Sequence, residues 1–397
     1  MASIAFTGGG TGGHIYPGLA VVSHLKKLTS PRVFWIGSNA GMDRKIVENA
    51  GIEFFGIPSG KLRRYFSLRN ILDVFKIAAG FFAAVKILKR EGAELLFSKG
   101  GFVSVPPCAA AKFLKIPVFT HESDFSPGLA TKINTRFAEK IFVPYAQSVS
   151  FFPGRAGEKV SVSGNPVRSE FAAADPKKGR EFLSLGEDAR ILLVLGGSLG
   201  SQEINALVKA CLPEFTKQYT VVHQTGEANA VEENNTEAGA IEQYKPERYK
   251  PGLYKPFAYF GDEIPHVIAA SEIVLCRSGA GTIWECKYLS KPMVLIPLRG
   301  SGTRGDQVEN ARLFEEAGAA VNFVPEWQIN GVSESEGKVA EKLSAIIASL
   351  AEDPARRKAM GEARIASRPE VPGHGTMGKE AAEFIAEEIN NKLKGKR

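Results

Sequence analysis

Two glycine-rich segments carry the residues best suited to chemistry. The first spans residues 8–13 and is followed by His14, and the second spans residues 196–200 and contains Ser198. Each follows a short apolar run and is expected to lead into a helix. Glycine lets the backbone turn tightly and approach a ligand, and the N–H groups at the start of a helix attract anions. The sequence therefore predicts two loops that bind phosphate or sugar groups.

The first loop also fits the G-x-G-x-x-G pattern of dinucleotide-binding folds. Such folds carry an acidic residue at the end of the second strand, where it binds the ribose. The corresponding run here, Trp35–Asn39, contains no carboxylate, which argues against NAD or FAD. The chain also lacks a G-x-x-x-x-G-K-[ST] segment, so a P-loop nucleotide triphosphatase is disfavoured.

Polar and charged residues stand at the expected carboxyl ends of strands, where open α/β sheets bind ligands. They are His14, Lys99, Gly100, Gly101, His121, Glu122, Asp124, Arg168, Arg277, Ser278, Gly279, Asp306, Gln307 and Asn310. Histidine has an ordinary pKa of about 6.5, which suits a general base. Arginine can bind phosphate oxygens through two N–H groups. The chain has no D-x-D motif, so we expect the loops, Ser198 and Arg168, rather than a metal, to balance charge on a departing phosphate.

Alternating strands and helices are expected to position these residues. Short β-branched or aromatic runs occur at 4–7, 33–36, 95–97, 118–120, 141–143, 191–195, 220–223, 273–276, 294–297 and 320–323. Helix-length segments between them predict βαβ units and parallel sheets. The alternation pauses near Gly164 and then restarts, which predicts an α/β protein of two doubly wound, Rossmann-like domains facing across a cleft. The expected domains are 1–164 and 165–370, and the expected tail, 371–397, is helical with a frayed basic end.

Composition restricts the class further. The chain has 397 residues, a formal net charge of +7 and 44% hydrophobic residues, as in ordinary globular proteins of this size. No basic tract interleaved with aromatic residues favours nucleic acid. The four cysteines form no C-x-x-C pair, so neither a metal site nor a disulfide framework is expected. The start of the chain lacks the pattern of a secretory signal, which predicts a cytoplasmic location.

The stretch 71–88 addresses the question of membrane contact. Asp73, Lys76 and Lys86 interrupt its apolar run, so a transmembrane span is not expected. One stripe at helical spacing contains Ile71, Val74, Phe75, Ala78, Phe82, Val85 and Leu88. Basic residues flank it at Lys61, Arg63, Arg64, Arg69, Lys89 and Arg90. The stripe predicts either a helix that covers a sheet or a patch that rests on a lipid surface with basic anchors.

The ordered motifs resemble those of the MurG family. They are GGGTGGHIYPGLA, GGFVSVP at 100–106, HESDFSPGLA at 121–130, GNPVR at 164–168, LGGSLGSQEIN, CRSGAGTIWE at 276–285 and DQVENARLFEEAGAA at 306–320. These enzymes are peripheral membrane N-acetylglucosaminyltransferases that convert lipid I to lipid II in peptidoglycan synthesis. The resemblance implies the two-domain GT-B architecture, with lipid I and the membrane surface on the N-terminal half and UDP-GlcNAc on the C-terminal half. It also implies a location at the cytoplasmic face of the membrane and no cofactor.

The resemblance assigns expected roles to individual residues. Thr11, Gly12 and Gly13 would lie near the sugar and diphosphate, and His14 would be the candidate base. Arg168 and Ser198 would hold the diphosphate. The uracil would be read at Gly261, the ribose hydroxyls at Glu285 and the GlcNAc ring by Gln307 and Asn310. The remaining substrate-binding candidates lie in the motif at 276–285 and are Arg277, Gly281 and Thr282.

Two positions depart from the family pattern. Asp124 stands where an amide is usual, and Leu199 stands where a glutamine is usual. The charge makes Asp124 a second candidate base as well as a substrate contact. Because of these departures, a second interpretation stays open, in which the protein is a related glycosyltransferase with another lipid acceptor, such as diacylglycerol. A UDP-GlcNAc epimerase on the same architecture is the alternative of another class.

Overall fold

The structure is a computed structural model that describes residues 2–39, 43–60, 69–197, 200–227, 252–300, 303, 305–325, 336–365 and 377–395. The chain divides into two compact units. The first unit comprises residues 1–169 and 366–397, and the second comprises residues 170–365. The change of unit thus comes after Ser169 rather than after residue 164, and the C-terminal segment belongs to the first unit.

The first unit is built on a seven-stranded sheet in which all neighbouring strands are parallel. Its strands are β1 (Ser3–Thr7), β2 (Arg32–Ser38), β3 (Glu53–Ile57), β4 (Leu95–Ser98), β5 (Val118–His121), β6 (Lys140–Val143) and β7 (Val160–Val162). Their spatial order is β3-β2-β1-β4-β5-β6-β7. The helices among them are α1 (Tyr16–Thr29), α2 (Asp43–Asn49), α3 (Arg69–Arg90), α4 (Val105–Phe113) and α5 (Leu129–Asn134).

The second unit is built on a six-stranded parallel sheet of order β10-β9-β8-β11-β12-β13. Its strands are β8 (Ile191–Leu195), β9 (Thr220–Gln224), β10 (Tyr254–Phe257), β11 (Ile273–Cys276), β12 (Met293–Leu295) and β13 (Ala320–Asn322). Its helices are α6 (Pro176–Phe182), α7 (Gln202–Phe215), α8 (Ile264–Ala270), α9 (Ala280–Tyr288), α10 (Asp306–Glu316), α11 (Glu336–Glu352) and α12 (Pro354–Glu362).

Each sheet changes the direction of its strand order once. In the first unit the change lies between β1 and β4, and in the second it lies between β8 and β11. The loops that leave adjacent strands at such a point run to opposite faces of the sheet and leave a crevice at the strand ends. Each of the two glycine loops leaves one of these strands, so the fold places both at a switch point of its own unit.

The last helix, α13 (Met377–Lys394), returns to the first unit. Its apolar side chains, among them Ile385 and Ile389, are buried in one core with α1 and with Phe6 and Phe97 of the sheet. Leu393 near its end is only 5% exposed. Lys392 forms an ion pair of 2.6 Å with Glu139. The expectation of a frayed basic end is therefore wrong as far as Lys394, because these contacts hold the last turn on the sheet.

Helix α3 packs on the opposite face of the same sheet. Ala84 and Leu88 are buried against the sheet, and Asp73 near the start of the helix is also buried. Val74, Phe75 and Phe82 are 56%, 70% and 70% exposed. The single stripe expected from the sequence is thus divided between a sheet-covering face and an exposed apolar face. Among the described helices, none is long and apolar enough to cross a membrane.

Candidate functional site

The first glycine loop is anchored by a buried carboxylate. Asp43, at the start of α2, accepts the backbone N–H of Gly10 over 2.9 Å and that of Ser38 over 3.4 Å. A Cβ atom on Gly9 would lie 1.9 Å from Asp43 Oδ2, so only glycine allows this approach. Burial raises the pKa of Asp43, and the N–H donors oppose the rise. No local pattern indicates this role, because Asp43 and Gly10 are 33 positions apart in the chain.

A carboxylate does lie beside the end of β2, contributed by Asp43 beyond the run Trp35–Asn39. It is fully buried and engaged with loop backbone. This carboxylate therefore shapes the first glycine loop.

His14 and Thr11 form a pair at the end of the first loop. His14 Nδ1 lies 2.9 Å from Thr11 Oγ1, and either group can be the donor. His14 ends a short 3₁₀ turn, Gly12–His14, that leads into α1. Gly13 is exposed and Gly12 is half-buried. The structure thus brings together four of the predicted residues at one switch point.

The turn after β4 lies against the imidazole of His14. Gly100 and Gly101 have φ values of +83° and +78°, which glycine adopts without strain. A Cβ atom on Gly100 would lie 3.7 Å from His14 Cδ2, and one on Gly101 would lie 3.5 Å from His14 Cγ. The turn at the two glycines therefore lies close beside the imidazole of His14.

Asp124 belongs to a turn that Glu122 holds in shape. The Glu122 carboxylate accepts the N–H groups of Ser123, Asp124 and Gly128 over 2.9, 3.2 and 3.0 Å. Asp124 itself is half-buried. His121, by contrast, is fully buried, and burial together with the charge of Lys99 holds its pKa well below 6.5. His121 is therefore a neutral structural residue, whereas Asp124 can meet a ligand.

Arg168 lies beside the first loop. Its guanidinium carbon is 4.7 Å from the ring centre of Tyr16, the second residue after His14. The Tyr16 ring in turn lies against Gly12, where a Cβ atom would be 3.0 Å away. Arg168 was expected in the second domain, but the structure includes it in the first unit. It stands where its charge can act on an anion bound at the first loop.

The second glycine loop is held by the side-chain amide of Gln224, which is not among the predicted site residues. Gln224 Nε2 donates to the carbonyl of Gly197 over 2.9 Å, and its Oε1 accepts the N–H of Phe260 over 3.3 Å. A Cβ atom on Gly200 would lie 2.1 Å from the Thr225 carbonyl. Ser198 and Leu199 lie outside the described residues.

Arg277 is engaged with the second unit itself. Its Nη2 donates to Ser201 Oγ over 2.7 Å and to Glu203 over 2.6 Å. Its Nη1 donates to the carbonyls of Ile296 and Pro297 over 3.2 and 3.4 Å. These contacts tie the start of α7 to the end of β12, next to the second glycine loop.

The first turn of α9 is an open backbone surface. Gly279 and Gly281 have open space where a side chain would stand, and Thr282 and Glu285 on the same helix are half-buried. The free N–H groups of such a turn attract an anion. The N–H of Gly261, another predicted contact, donates to Glu263 Oε2 over 3.1 Å, and Gly261 is exposed.

Gln307 and Asn310 anchor the start of α10. Gln307 Oε1 accepts the N–H of Leu298 over 3.0 Å, and its carbonyl accepts the Ser278 hydroxyl over 2.7 Å. Asn310 is fully buried, and its Nδ2 donates to the Ser278 carbonyl over 3.2 Å. Gln307 remains half-buried. Of the two, Gln307 is the one that the described structure leaves accessible to a sugar.

Each unit thus offers a different chemistry. The first unit combines an imidazole, a carboxylate and an arginine around a glycine loop. The second combines a glycine loop and an open helix start with the carboxylate of Glu285. The groups of the second unit can bind a phosphorylated ligand, and those of the first can hold an anion and remove a proton from a hydroxyl. Within the described ranges, no three His, Cys, Asp or Glu residues are grouped as metal ligands.

Comparisons with known proteins agree with this division. Residues 4–143 match the glycosyltransferase family 28 N-terminal domain, and residues 191–368 match the corresponding C-terminal domain. The chain is 49% identical over 335 residues to the UDP-N-acetylglucosamine–N-acetylmuramyl-(pentapeptide) pyrophosphoryl-undecaprenol N-acetylglucosamine transferase of Treponema denticola. That match covers 81% of this chain and 83% of the relative.

Two solved structures share the fold over nearly the whole chain. The crystal structure of Acinetobacter baumannii MurG has a TM-score of 0.68 at 20% identity and covers 98% of this chain and 100% of its own. A UDP-N-acetylglucosamine 2-epimerase has a TM-score of 0.66 at 13% identity and covers 100% of this chain and 97% of its own. Since both likenesses are distant in sequence, they bear on the two-domain α/β GT-B fold alone.

Proposed function

The chain belongs to the MurG family of glycosyltransferases, and from this membership we propose that it transfers GlcNAc from UDP-GlcNAc to lipid I, giving lipid II. The 49% identity to the Treponema denticola enzyme carries the proposal, because it extends over 335 residues and most of both chains. The fold alone would not separate a transferase from an epimerase, since a 2-epimerase shares it.

The reaction replaces one bond at the anomeric carbon of the donor sugar. An oxygen of an acceptor hydroxyl attacks this carbon from the face opposite the diphosphate, and the bond between carbon and phosphate oxygen breaks. UDP leaves with the electron pair, and the hydroxyl proton passes to a base. The product is inverted at that carbon.

His14 is the proposed base. If its Nδ1–H donates to Thr11 Oγ1, which lies 2.9 Å away, then Nε2 has no hydrogen and can accept the proton. The position of the ring between Thr11 and the turn at Gly100 and Gly101 supports this assignment. Asp124 is the second candidate, since a carboxylate can also accept a proton or orient the hydroxyl.

The departing diphosphate needs positive charge and N–H donors. We assign these to Arg168, Ser198 and the backbone of the loops, including Gly12 and Gly13. Fixed dipoles of this kind stabilise charge that develops during a reaction. Arg168 beside Tyr16 supports the assignment.

The donor is assigned to the second unit. Glu285 would accept hydrogen bonds from the ribose hydroxyls, the backbone at Gly261 would read the uracil, and Gln307 would contact the GlcNAc ring. Gly281 and Thr282 in the first turn of α9 would donate to the diphosphate. Arg277 and Asn310 would act through the loops that they hold.

We also propose that the first unit rests on the cytoplasmic face of the membrane. The exposed face of α3, defined here by Val74, Phe75 and Phe82, is continued by Phe113 at the end of α4, which is 68% exposed. Phe113 stacks edge-on against Phe81 at 5.9 Å. The same two helices also carry exposed lysines, which are Lys76, Lys86, Lys89 and Lys112. Exposed apolar side chains together with lysines suit a surface of anionic lipids.

Purified protein tested with UDP-GlcNAc and a lipid I analogue decides the main proposal. The expected product is the disaccharide lipid with release of one UDP. Absence of product would overturn it. Transfer to diacylglycerol but not to the analogue would support the alternative acceptor that Asp124 suggests, and conversion of UDP-GlcNAc without any acceptor would identify an epimerase.

A further inference from the structure

Lys99 is a buried cation that the proposed reaction leaves without a role. It follows β4 and is only 2% exposed. Its Nζ donates to Ser123 Oγ over 2.6 Å, and Ser123 Oγ donates to Asn165 Oδ1 over 2.9 Å. An ammonium offers three donors, and within the described part of the chain Ser123 supplies the one acceptor at hydrogen-bond distance.

The position of Lys99 connects the two candidate bases. A Cβ atom on Gly8 would lie 3.0 Å from Lys99 Cβ, so the lysine stem lies against the first loop. The next residue, Gly100, lies against the His14 imidazole. Through Ser123, the other end of the side chain reaches the turn that carries Asp124. One side chain therefore spans from the loop of His14 to the turn of Asp124.

The charges around Lys99 explain how a lysine is tolerated at this place. Burial lowers the pKa of its ammonium to about 8, and the carboxylates of Glu122 and Asp124 oppose the decrease. Glu122 accepts three backbone N–H groups and is only 7% exposed, whereas Asp124 is half-buried. The neighbouring His121 is held neutral, and His14 is the titratable group on the adjoining loop.

We propose that Lys99 is a positioning residue of the acceptor site, which fixes the turn at 121–124 through Ser123 and holds Asp124 as a carboxylate that accepts a hydrogen bond from a sugar hydroxyl of the acceptor. The inference rests on the proposed function, because it concerns the substrate that Asp124 would meet. The carboxylate of Asp124, where the family usually has an amide, is then explained by the nearby charge of Lys99 and not by a loss of function.

The test compares Lys99→Met, Asp124→Asn and the double variant across pH, with kcat and KM measured separately for the lipid I analogue. Wild-type kcat/KM should decrease above a pH of about 8, where Lys99 loses its proton.

Lys99→Met should lower kcat/KM by about ten-fold or more and lack this decrease. Asp124→Asn should move the decrease to lower pH, because a charge that favours the ammonium is gone. The double variant should be no worse than Lys99→Met.

Lys291 provides a matched control. It is a lysine of the second unit whose pKa burial also lowers to about 8, and its Nζ donates to the carbonyls of Ala269 and Ser271 over 2.6 and 2.8 Å. Lys291→Met should change thermal stability but keep the wild-type pH profile. A wild-type profile in Lys99→Met would overturn the proposal. If Lys99→Met does not fold, an unmoved decrease in Asp124→Asn would overturn it instead.

These outcomes are separate from failure of the proposed function. If the wild-type protein transfers no GlcNAc to the analogue, the function itself is wrong. If it does transfer, and the variants give independent effects with unchanged pH profiles, only the role of Lys99 is wrong.

Discussion

The carboxylate of Asp43 accepts the backbone N–H of Gly10, at 2.9 Å from Oδ1 and 3.2 Å from Oδ2. This contact joins the start of α2 to the loop that carries His14. Because the approach is possible only when residue 9 has no side chain, the glycine run and the carboxylate depend on each other. The loop is therefore held by tertiary contacts and not by its own sequence alone.

Asp43→Asn should lower activity and change how stability depends on pH. Burial raises the folded-state pKa of Asp43 above its ordinary value of 3.8, so the folded state binds this proton more tightly than the unfolded state. Protonated Asp43 therefore contributes to the free energy of unfolding below a pH of 3.8, and this contribution is lost as the pH rises through the folded-state pKa. The free energy of unfolding of wild type, minus that of Asp43→Asn, should therefore fall across this window. Denaturant unfolding of both proteins at several pH values measures the difference, and a constant difference would contradict the prediction.

The pair of His14 and Thr11 should be visible in kinetics. His14→Ala should lower kcat by about 10²–10⁴-fold, as loss of a general base does, while UDP-GlcNAc affinity is kept. Thr11→Val should cost about 1 kcal/mol, or roughly five-fold in kcat, through loss of one hydrogen bond. Thr11→Ser keeps the hydroxyl and is the control. Full activity in His14→Ala would transfer the base assignment to Asp124.

Much of the fold could be predicted from the sequence, because buried parallel strands are continuous apolar runs. Strands β8 and β11 have the predicted bounds, and the first glycine loop follows β1 as expected. Strands β3, β7 and β10 were missed. Strands β7 and β10 have three and four residues and no continuous apolar run. Strand β3 does contain apolar residues, but Gly56 interrupts them and the strand is only partly buried.

The parts of the site that could not be predicted depend on contacts between distant segments. Nothing in the local pattern near Asp43 or Gln224 shows that its side chain holds a glycine loop. The burial of Lys99 is equally hidden, since an isolated lysine at a strand end is usually exposed. Residue type and spacing predict which loops bind ligands, whereas the residues that shape those loops are visible only in the structure.

Substitution of Arg277 should affect the stability of the protein more than it affects binding of the substrate. Its ion pair with Glu203 has side chains 10% and 24% exposed, and removal of one partner from such a buried pair costs about 3 kcal/mol. Arg277→Met should lower the melting temperature, and Glu203→Met in the same protein should recover part of the loss. Calorimetry of UDP-GlcNAc binding separates the alternatives. If Arg277 contacts the donor directly, Arg277→Met would weaken binding and the second substitution would not restore it.

Arg168 should stabilise the negative charge of the departing diphosphate without a metal ion. Arg168→Ala should lower kcat by about 10²–10³-fold, the usual loss when a group that stabilises developing charge is removed. Arg168→Lys should recover part of this, because it keeps the charge but not the planar geometry. Transfer should persist in the presence of a chelator. Activity that disappears with chelator and returns only with one divalent ion would show that a metal holds the diphosphate.

The exposed face of α3 should determine binding to lipid. Phe75→Ser with Phe82→Ser should weaken binding to vesicles that contain anionic lipid, since full burial of each phenylalanine is worth about 1.5–3 kcal/mol. Leu28→Ser is the matched control, because Leu28 is 44% exposed but lies on α1, which packs on the opposite face of the sheet. Sedimentation with vesicles measures binding, and transfer to a water-soluble acceptor analogue checks that the site is intact. Equal loss of binding in the control, or unchanged binding in the double phenylalanine variant, would place the lipid contact elsewhere on the protein.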